Sequence, residues 1–336
     1  MKKILVTGGL GYIGSHTVVE LQSEGFEVII IDDLSNTSIE VLDKITLISG
    51  IKPAFEQIDL KEKDAVAQFF EKYKVDGVIH FAASKAVGES VNEPLKYYEN
   101  NISTLTYVLK AMAANNVHNI IFSSSCTVYG QADELPITEN APTKPAESPY
   151  GATKRMGEII LEDTSKVSPL KAIALRYFNP VGAHESAKIG ELPLGVPQNL
   201  IPFVVQTAAG IRKELSIFGD DYDTVDGTAV RDYIHVVDLA KAHIAALNRL
   251  LNDKNKKDCE FFNIGTGKGS SVLEIVNAFE KVNNLKLNYK IVPRRAGDIT
   301  AAYADTTIAN KELNWKTELS LEDALSSAWK WQQAQK

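Results

Sequence analysis

A tyrosine and a lysine stand four residues apart in the stretch SPYGATK, which runs from Ser148 to Lys154. Residues i and i+4 of a helix share one face, with Cβ atoms about 5–6 Å apart. An ammonium beside a phenol favours the phenolate, so Lys154 is expected to lower the pKa of Tyr150 from its ordinary value near 10. The pair predicts a tyrosine that acts as a base. Chance supplies about one such pair in a chain of this composition, so the spacing needs support from its surroundings.

The elements that would position this pair alternate between short apolar runs and helical patterns. The predicted strands are residues 3–7, 27–32, 54–59, 77–82, 119–125 and 172–178. These runs are apolar on both faces, which is typical of parallel strands buried on both sides. Helical patterns separate them, so the βαβ order predicts an α/β fold with a doubly wound parallel sheet.

The pattern changes after residue 178, where the chain becomes rich in glycine and proline and the strand signals become short. Helices are predicted at 237–251, 271–284, 306–314 and 320–335. We expect a nucleotide-binding domain of residues 1–178 with a returning segment near 231–258. A smaller α/β substrate-binding domain is expected to comprise residues 179–230 and 259–336.

A glycine-rich turn, TGGLGYIGSH, follows the first predicted strand and opens a predicted helix. Its glycines Gly8, Gly11 and Gly14 would let the backbone approach a pyrophosphate, whose charge a helix N-terminus favours. The second strand ends in Asp32 and Asp33, and Asp32 is spaced to bind an adenosine ribose and to repel a 2′-phosphate. No arginine stands beside it, so a Rossmann-type site for NAD is favoured over one for NADP. A purely structural turn is the alternative.

Two further strand ends are expected to line this cofactor site, because ligands bind at the carboxyl ends of such strands. Asp59 and Leu60 follow the third strand and would meet adenine. The segment FAASKAVGES follows the fourth, with Lys85 reaching polar groups of the nicotinamide half. Asn100 opens the next helix and is either a ligand or a helix cap.

A serine completes the reacting group. Ser125 ends the fifth predicted strand, and a proline-rich loop joins it to SPYGATK. Tyr150 would take or return a hydroxyl proton, Lys154 would stabilise the phenolate and bind the nicotinamide ribose, and Ser125 would hold the same substrate oxygen. The positive nicotinamide of oxidised NAD would lower the tyrosine pKa further. The chemistry implied is hydride transfer to or from a carbinol carbon.

Five motifs spread over almost the whole chain resemble those of the UDP-glucose (UDP-galactose) 4-epimerases of the extended short-chain dehydrogenase/reductase superfamily. They are TGGLGYIGSH, KAVGES, NPVGAH, VRDYIHV and PRRAGD. The resemblance implies reversible NAD-dependent epimerisation of UDP-glucose and UDP-galactose through a 4-keto intermediate. Tyr150 would remove the 4′-hydroxyl proton as hydride leaves C4, and the 4-keto sugar would then turn over. The hydride and the proton would return to the opposite face of the sugar.

The resemblance also implies roles for individual residues. Ser125, Tyr150 and Lys154 would be catalytic. The expected cofactor contacts are Gly8, Gly11, Tyr12, Ile13, Gly14, Asp32, Asp33, Leu34, Ser35, Asn36, Thr37, Asp59, Leu60, Phe81, Ala82, Ala83, Ser84, Lys85, Asn100, Ser125, Tyr150, Lys154 and Phe178. The expected substrate contacts are Lys85, Ser125, Tyr150, Asn179, Asn199, Arg231, Arg295, Asp298 and Ala302.

The two arginines, Arg231 and Arg295, would clamp the diphosphate, because a guanidinium suits bidentate phosphate recognition. Without the resemblance, each of them is as easily a surface salt-bridge partner. By the same resemblance, Ala302 stands where some hexose-restricted members carry a tyrosine at the pocket wall, so the pocket is expected to admit N-acetylated sugars. The alternative is that Tyr303 swings in and closes the wall.

Composition excludes several other functions. A net charge of −7 over 336 residues argues against a broad nucleic-acid surface. No apolar stretch approaches the roughly 20 residues of a membrane span. The two cysteines are far apart, which fits a reduced cytoplasm, and the six histidines show no metal-binding spacing.

Two predicted helices each carry an apolar stripe. One stripe consists of Ile102, Leu105, Leu109 and Met112, and the other of Met156, Ile159 and Ile160. These side chains belong either to the core or, as the resemblance implies, to a homodimeric four-helix bundle.

Two rival functions remain. One is a nucleotide-sugar 4,6-dehydratase, whose motif resembles STDEVYG and supplies an Asp-Glu pair for water elimination. Here Cys126 and Thr127 take those positions, so the carboxylates are lacking. The other is a non-catalytic NAD-sensing regulatory protein, which would not need Tyr150 and Lys154 together.

Overall fold

The computed structural model describes residues 1–295 and 298–335 of the chain. Ala296 and Gly297, which belong to the PRRAGD motif, and Lys336 lie outside the described residues. The strands are β1 (Lys3–Thr7), β2 (Glu27–Asp32), β3 (Ala54–Gln57), β4 (Gly77–His80), β5 (Asn119–Ser123), β6 (Lys171–Tyr177), β7 (Asn179–Val181), β8 (Leu215–Phe218), β9 (Val230–Arg231), β10 (Tyr233–His235), β11 (Cys259–Ile264), β12 (Ser270–Ser271), β13 (Tyr289–Val292) and β14 (Ala301–Ala302).

Helices connect these strands and cover the sheets. They are α1 (Tyr12–Ser23), α2 (Glu40–Ser49), α3 (Lys63–Lys72), α4 (Val87–Asn92), α5 (Pro94–Tyr98), α6 (Thr104–Ala114), α7 (Pro149–Val167), α8 (Leu200–Ala208), α9 (Val236–Leu251), α10 (Val272–Asn283), α11 (Thr307–Glu312) and α12 (Leu321–Gln333). A π-helical turn, Glu99–Ser103, precedes α6, and a 3₁₀ turn, Cys126–Tyr129, follows β5.

A seven-stranded sheet carries the nucleotide-binding elements. Its order is β11-β6-β5-β4-β1-β2-β3, and every neighbouring pair is parallel. The strand order reverses between β1 and β4, and ligands of doubly wound sheets bind in the crevice at such a switch point. The predicted Rossmann-type fold class is confirmed.

Both faces of this sheet are packed, which explains why its central strands β1, β2 and β4 are apolar on both faces. On β1, Ile4 and Val6 enter the cluster covered by α1 and α9, whereas Leu5 enters the cluster on the opposite face, covered by α3 and α6. The strands β3, β4 and β5 end two residues earlier than predicted. The residues that follow them are therefore loops at the crevice.

The smaller region is built from short strands. β8 pairs with β13, β7 with β10, and β9 lies between β12 and β14. Helices α8, α10 and α12 contribute Val204, Phe279 and Leu325 to a separate buried cluster. This region therefore has its own core.

The chain returns to the large sheet after the first part of the smaller region. Helix α9 packs on α1 through Leu239 and Ala242, and β11 then pairs with β6 along its whole length. Residues 259–264 thus belong to the large sheet, which corrects the predicted boundary at residue 259. We propose the other boundaries as predicted.

Most of the apolar stripe on α6 is core. Leu105, Leu109 and Met112 are buried within the chain, in the cluster beneath α3 and α6. On α7, in contrast, Met156 and Ile159 are exposed. A dimer-forming role predicted for the three α6 side chains is therefore wrong, while the α7 surface stays available.

Candidate active site and nucleotide cleft

One cleft of about 1660 Å³ runs along the carboxyl ends of the large sheet and continues into the smaller region. Most predicted site residues line it. They are Gly8, Gly11, Tyr12, Ile13, Gly14, Asp32, Asp33, Ser35, Asn36, Thr37, Asp59, Leu60, Phe81, Ala82, Ala83, Ser84, Lys85, Asn100, Tyr150, Lys154, Asn179, Asn199, Arg231, Arg295, Asp298 and Ala302.

Three predicted residues do not line the cleft. Leu34 has a positive φ of 62° and donates its N–H to Asp32, so it shapes the turn beneath the ribose site. The side chain of Phe178 packs in a buried cluster with Tyr129 and Ala302, and its contact with the cofactor stays a prediction. Ser125 is buried, and its Oγ accepts the N–H of Thr127 at 3.2 Å.

The glycine turn tolerates no side chain at two positions. A Cβ on Gly14 would lie 2.1 Å from the carbonyl oxygen of Gly8, and a Cβ on Gly8 would lie 2.9 Å from the backbone nitrogen of Ala82. Gly11 caps α1 without a side-chain hydrogen bond, so the first N–H groups of the helix are left for a ligand. A pyrophosphate fits this cradle, because it is anionic and the backbone can approach it closely.

Asp32 is held by backbone donors at the end of β2. Its Oδ2 accepts the N–H of Leu10 at 3.1 Å, and its Oδ1 accepts that of Leu34 at 3.0 Å. Burial raises the pKa of this carboxyl, and the two backbone bonds oppose the shift. A buried carboxylate with lone pairs to spare suits a ribose diol and disfavours a 2′-phosphate.

Helix α7 brings the tyrosine and the lysine to one face, as their spacing predicts. Ser148 caps the helix by accepting the N–H of Gly151 at 3.2 Å, and Pro149 occupies its first turn. The ammonium of Lys154 lies 5.7 Å from the ring centroid of Tyr150 and donates to the carbonyl of Ser123 at 2.7 Å. Both side chains are buried.

The electrostatics of this pair differ from the expectation. Burial raises the pKa of the Tyr150 phenol well above its ordinary value, with Tyr177 adding to the shift and Ser125 partly offsetting it. Burial also lowers the pKa of Lys154 to about 8. The net shift of the Tyr150 pKa is therefore upward, opposite to the predicted direction, because burial dominates. A cationic nicotinamide is the group whose charge would favour the phenolate here.

Two residues that the sequence did not single out connect the cofactor loop to α7. The amide of Asn101, in the π-helical turn, accepts the N–H of Ser84 at 2.8 Å and donates to the Ser84 carbonyl at 3.0 Å and to Thr153 at 2.9 Å. Thr153 in turn donates to the carbonyl of Tyr150 at 2.8 Å. Asn100 donates to the Ser84 hydroxyl at 3.0 Å, so both asparagines of the Asn-Asn pair serve this loop.

The charged residues of the far wall bind one another. Arg231 forms an ion pair with Asp298, so two predicted substrate ligands hold each other. The guanidinium of Arg295 lies 4.6 Å above the ring of Phe218. These contacts hold the planar guanidinium groups of Arg231 and Arg295 at the cleft wall. Such groups can bind a diphosphate through hydrogen bonds and can stack on a nucleotide base.

Glu191, which the sequence did not single out, contacts two of the remaining predicted site residues. It accepts a hydrogen bond from Asn199 at 3.1 Å and pairs with Lys85 at 3.5 Å. No motif marks this glutamate, so its position follows only from tertiary structure.

Ala302 forms part of the cleft wall. It is buried, lines the cleft and pairs with Arg231 between β14 and β9. Tyr303 does not line the cleft, and its ring lies 3.0 Å from where a Cβ on Gly269 would be. The buried carboxylate of Asp232 fixes this wall by accepting the N–H of Ala304 at 3.2 Å and that of Gly267 at 3.1 Å.

The described part of the chain contains neither a metal-binding cluster nor a membrane-spanning helix. Over residues 1–295 and 298–335, histidine, cysteine and carboxylate side chains form no group of three that could hold a metal ion. Over the same residues, no helix is both long and apolar enough to cross a membrane.

The fold and the cleft define a member of the extended short-chain dehydrogenase/reductase superfamily, and a family model described as GDP-mannose 4,6 dehydratase matches residues 5–328. Within this superfamily the chain belongs to the UDP-glucose 4-epimerase family. It is 48% identical to a UDP-glucose 4-epimerase of Neisseria meningitidis serogroup B, over 98% of this chain and 97% of that one.

Two other relatives agree. A crystal structure of the Stenotrophomonas maltophila UDP-glucose 4-epimerase, with bound NAD and formylated UDP-arabinopyranose, has a TM-score of 0.97 at 47% identity and covers 100% of this chain and 99% of that chain. The Bifunctional protein GAL10 of Pachysolen tannophilus is 50% identical over 98% of this chain, which spans only 49% of that longer protein. The predicted family and the predicted cofactor, NAD, are confirmed.

Proposed function

We propose that this protein interconverts UDP-glucose and UDP-galactose by inverting the configuration at C4 of the sugar. One observation carries the proposal above the others. A single cleft contains the glycine turn, the Tyr150–Lys154 pair and the arginines of the far wall. A cofactor and a nucleotide sugar can therefore lie end to end, with the reacting tyrosine at their junction.

The residues of the large sheet suit NAD. Gly8, Gly11 and Gly14 would admit its pyrophosphate, and Asp32 would bind the adenosine ribose. When bound, NAD accepts a hydride from C4 of the sugar and later returns it. Lys154 would hold the nicotinamide ribose while its ammonium, with a pKa of about 8, stays largely charged at neutral pH.

The chain's own residues would move the proton and hold the substrate. Tyr150 takes the proton of the 4′-hydroxyl as the C4–H bond breaks, which leaves a 4-keto sugar. Ser125 holds the same oxygen, and Arg231 and Arg295 hold the diphosphate. The sugar turns over while its UDP stays bound, and Tyr150 returns the proton to the oxygen once hydride has reached the opposite face of C4.

The dehydratase alternative lacks its acid and base. Cys126 and Thr127 take the positions of the two carboxylates. Burial raises the pKa of the Cys126 thiol to about 12, so this residue stays neutral and cannot replace a carboxylate base.

The test is conversion of UDP-galactose by purified protein without added NAD. The proposal expects UDP-glucose as the product and no change in mass. A dehydratase would instead release water and yield a lighter 4-keto-6-deoxy sugar, and a non-catalytic sensor would leave the substrate unchanged. Either of those outcomes contradicts the proposal.

The substrate range is proposed to include UDP-N-acetylglucosamine and UDP-N-acetylgalactosamine. Ala302 presents only a methyl group to the cleft, and Tyr303 does not line it. The wall therefore leaves room for a 2-acetamido group on the turning sugar, because exclusion requires bulk at this position.

A homodimer and a cytoplasmic location complete the proposal. Met156 and Ile159 on α7 are 41% and 47% exposed, and burying such side chains against a second copy would remove apolar surface from water. We expect Ile159→Glu to shift the protein from dimer to monomer in light scattering. Cys126 and Cys259 are both free thiols, which suits a reducing compartment.

A further inference from the structure

A buried ion pair joins the large sheet to the helix that carries Tyr150. Arg176 on β6 donates from Nε and Nη2 to the two carboxylate oxygens of Glu158 on α7, at 2.9 and 2.8 Å. The two side chains are only 6% and 5% exposed. Glu158 lies two helical turns beyond Tyr150 on the same helix.

The Arg176–Glu158 pair is also hydrogen-bonded to residues on both sides of Ser125. Ser124 donates its hydroxyl to Glu158 at 2.6 Å. Arg176 donates to the phenolic oxygen of Tyr129 at 2.9 Å, and Tyr129 ends the 3₁₀ turn that Ser125 caps. The residues before and after the reacting serine are thus tied to the helix of the reacting tyrosine.

Stability alone is a poor reason for such a network. A buried ion pair offers little net stability over well-packed apolar side chains, because both charges must be stripped of water. The chain contains a second bidentate pair of the same kind, Arg249–Glu260, with side chains 6% and 9% exposed. That pair joins α9 to β11 and binds Glu312, so it contacts none of the reacting segments.

We propose that Glu158 and Arg176, acting through Ser124 and Tyr129, are positioning residues that set the separation of the Ser125 hydroxyl from the Tyr150 phenol. The inference rests on the roles proposed above for Ser125 and Tyr150. Groups that share one substrate oxygen must be held within about 0.5 Å of their productive geometry. A buried, hydrogen-bonded ion pair restricts the movement of the segments it joins more than apolar contacts do, because its hydrogen bonds are directional.

The direct experiment is a double-mutant cycle between Ser124→Ala and Ser125→Ala. Alanine at 124 removes one hydroxyl, and Glu158 keeps both bonds to Arg176, so the fold is expected to survive. We expect Ser124→Ala to lower kcat about tenfold with little change in KM, because misplacement by 1 Å can cost up to about a hundredfold. In the Ser125→Ala background the same change should have no further effect, since the group being positioned is gone.

Two results would overturn the inference while leaving the proposed function intact. One is an unchanged kcat for Ser124→Ala, and the other is the same loss in both backgrounds. Full activity of Ser125→Ala would instead remove the proposed role of Ser125, and the inference with it.

The second ion pair provides the matched control. Glu158→Gln and Glu260→Gln each remove one buried charge from a bidentate pair, so both are expected to lower the melting temperature. Only Glu158→Gln should also lower kcat, measured with UDP-galactose at a temperature where both variants remain folded. Equal kcat values for the two variants would show that the Glu158 pair is structural only.

Discussion

The two halves of the cleft recognise their ligands in different ways. The cofactor half is shaped by backbone, since Gly8 and Gly14 leave no room for a Cβ and the N-terminus of α1 faces the pyrophosphate site. The sugar-nucleotide half is shaped by side chains that already bind one another, as Arg231 does with Asp298. A rigid backbone cradle suits a cofactor that stays bound, and exchangeable ion pairs suit a substrate that leaves.

This difference leads to a ranking of effects. Substitutions in the cofactor half should abolish cofactor binding or turnover, because relieving a clash there would require an energetically costly shift of the backbone. Changes in the sugar half should alter affinity or selectivity by smaller factors, because several side chains share the work.

The largest effect is expected for Gly14→Ala. Its added carbon would lie 2.1 Å from a backbone oxygen, so the turn must open and the pyrophosphate cradle is lost. Purified variant should carry almost no NAD, measured by the nucleotide released on denaturation. Gly11→Ala, whose added carbon would lie 3.2 Å from the same oxygen, should retain more cofactor. Equal cofactor content in the two variants would argue against a backbone cradle.

Next is Tyr150→Phe. Removing the only proposed proton acceptor should lower kcat by roughly 10²–10⁴. Binding of UDP and NAD should persist, because the ring still fills its buried site. The control is Tyr73→Phe, which removes a phenol that is hydrogen-bonded to Glu56 at 2.6 Å and does not line the cleft. Near-normal turnover of Tyr150→Phe would contradict the mechanism.

A smaller effect is expected for Arg231→Ala. Loss of one hydrogen-bonded charge on the diphosphate is worth about 1.5–3 kcal/mol, so KM for UDP-galactose should rise roughly 10- to 100-fold. The bound NAD should be unaffected. Arg294→Ala is the matched change, because Arg294 is an exposed cation that pairs with Asp221 and does not line the cleft. If both variants raise KM equally, Arg231 has no specific part in binding the diphosphate.

The smallest effect is a change of selectivity in Ala302→Tyr. The phenol would occupy the space proposed for the acetamido group, so turnover of UDP-N-acetylglucosamine should fall at least about fivefold relative to UDP-glucose, since overpacking typically costs about 1–3 kcal/mol. Wild-type and variant enzyme would be compared on both sugars. A wild type that ignores the acetylated sugar, or a variant that keeps it, would count against the open wall.

The contrast between the halves also explains what the sequence could predict. Six of the seven strands of the large sheet, and most of the residues that line the cofactor half of the cleft, were predictable, because glycine spacing and apolar runs follow from the backbone itself. The partners of Arg231 and Lys85 were not, because they come from segments far apart in the chain. The direction of the Tyr150 pKa shift was also predicted incorrectly. The spacing to Lys154 can be read from a helical pattern, whereas the burial that raises this pKa cannot.

The same limit applies to chain boundaries. The return of Cys259–Ile264 to the large sheet was missed because its neighbour, β6, lies more than eighty residues earlier. Asn101 was overlooked because its contacts with Ser84 and Thr153 depend on the π-helical turn, which no residue pattern marks.

The central claim is that hydride leaves C4 and returns to the same sugar on a cofactor that never dissociates. The most direct test uses a mixture of two substrates in ordinary water without added NAD. One is UDP-galactose with deuterium at C4, and the other is UDP-galactose that lacks deuterium and carries carbon-13 at another position. The account predicts that UDP-glucose keeps the deuterium at C4 and that no molecule carries both labels. Loss of deuterium to water, or transfer of it to the carbon-13 molecules, would contradict it.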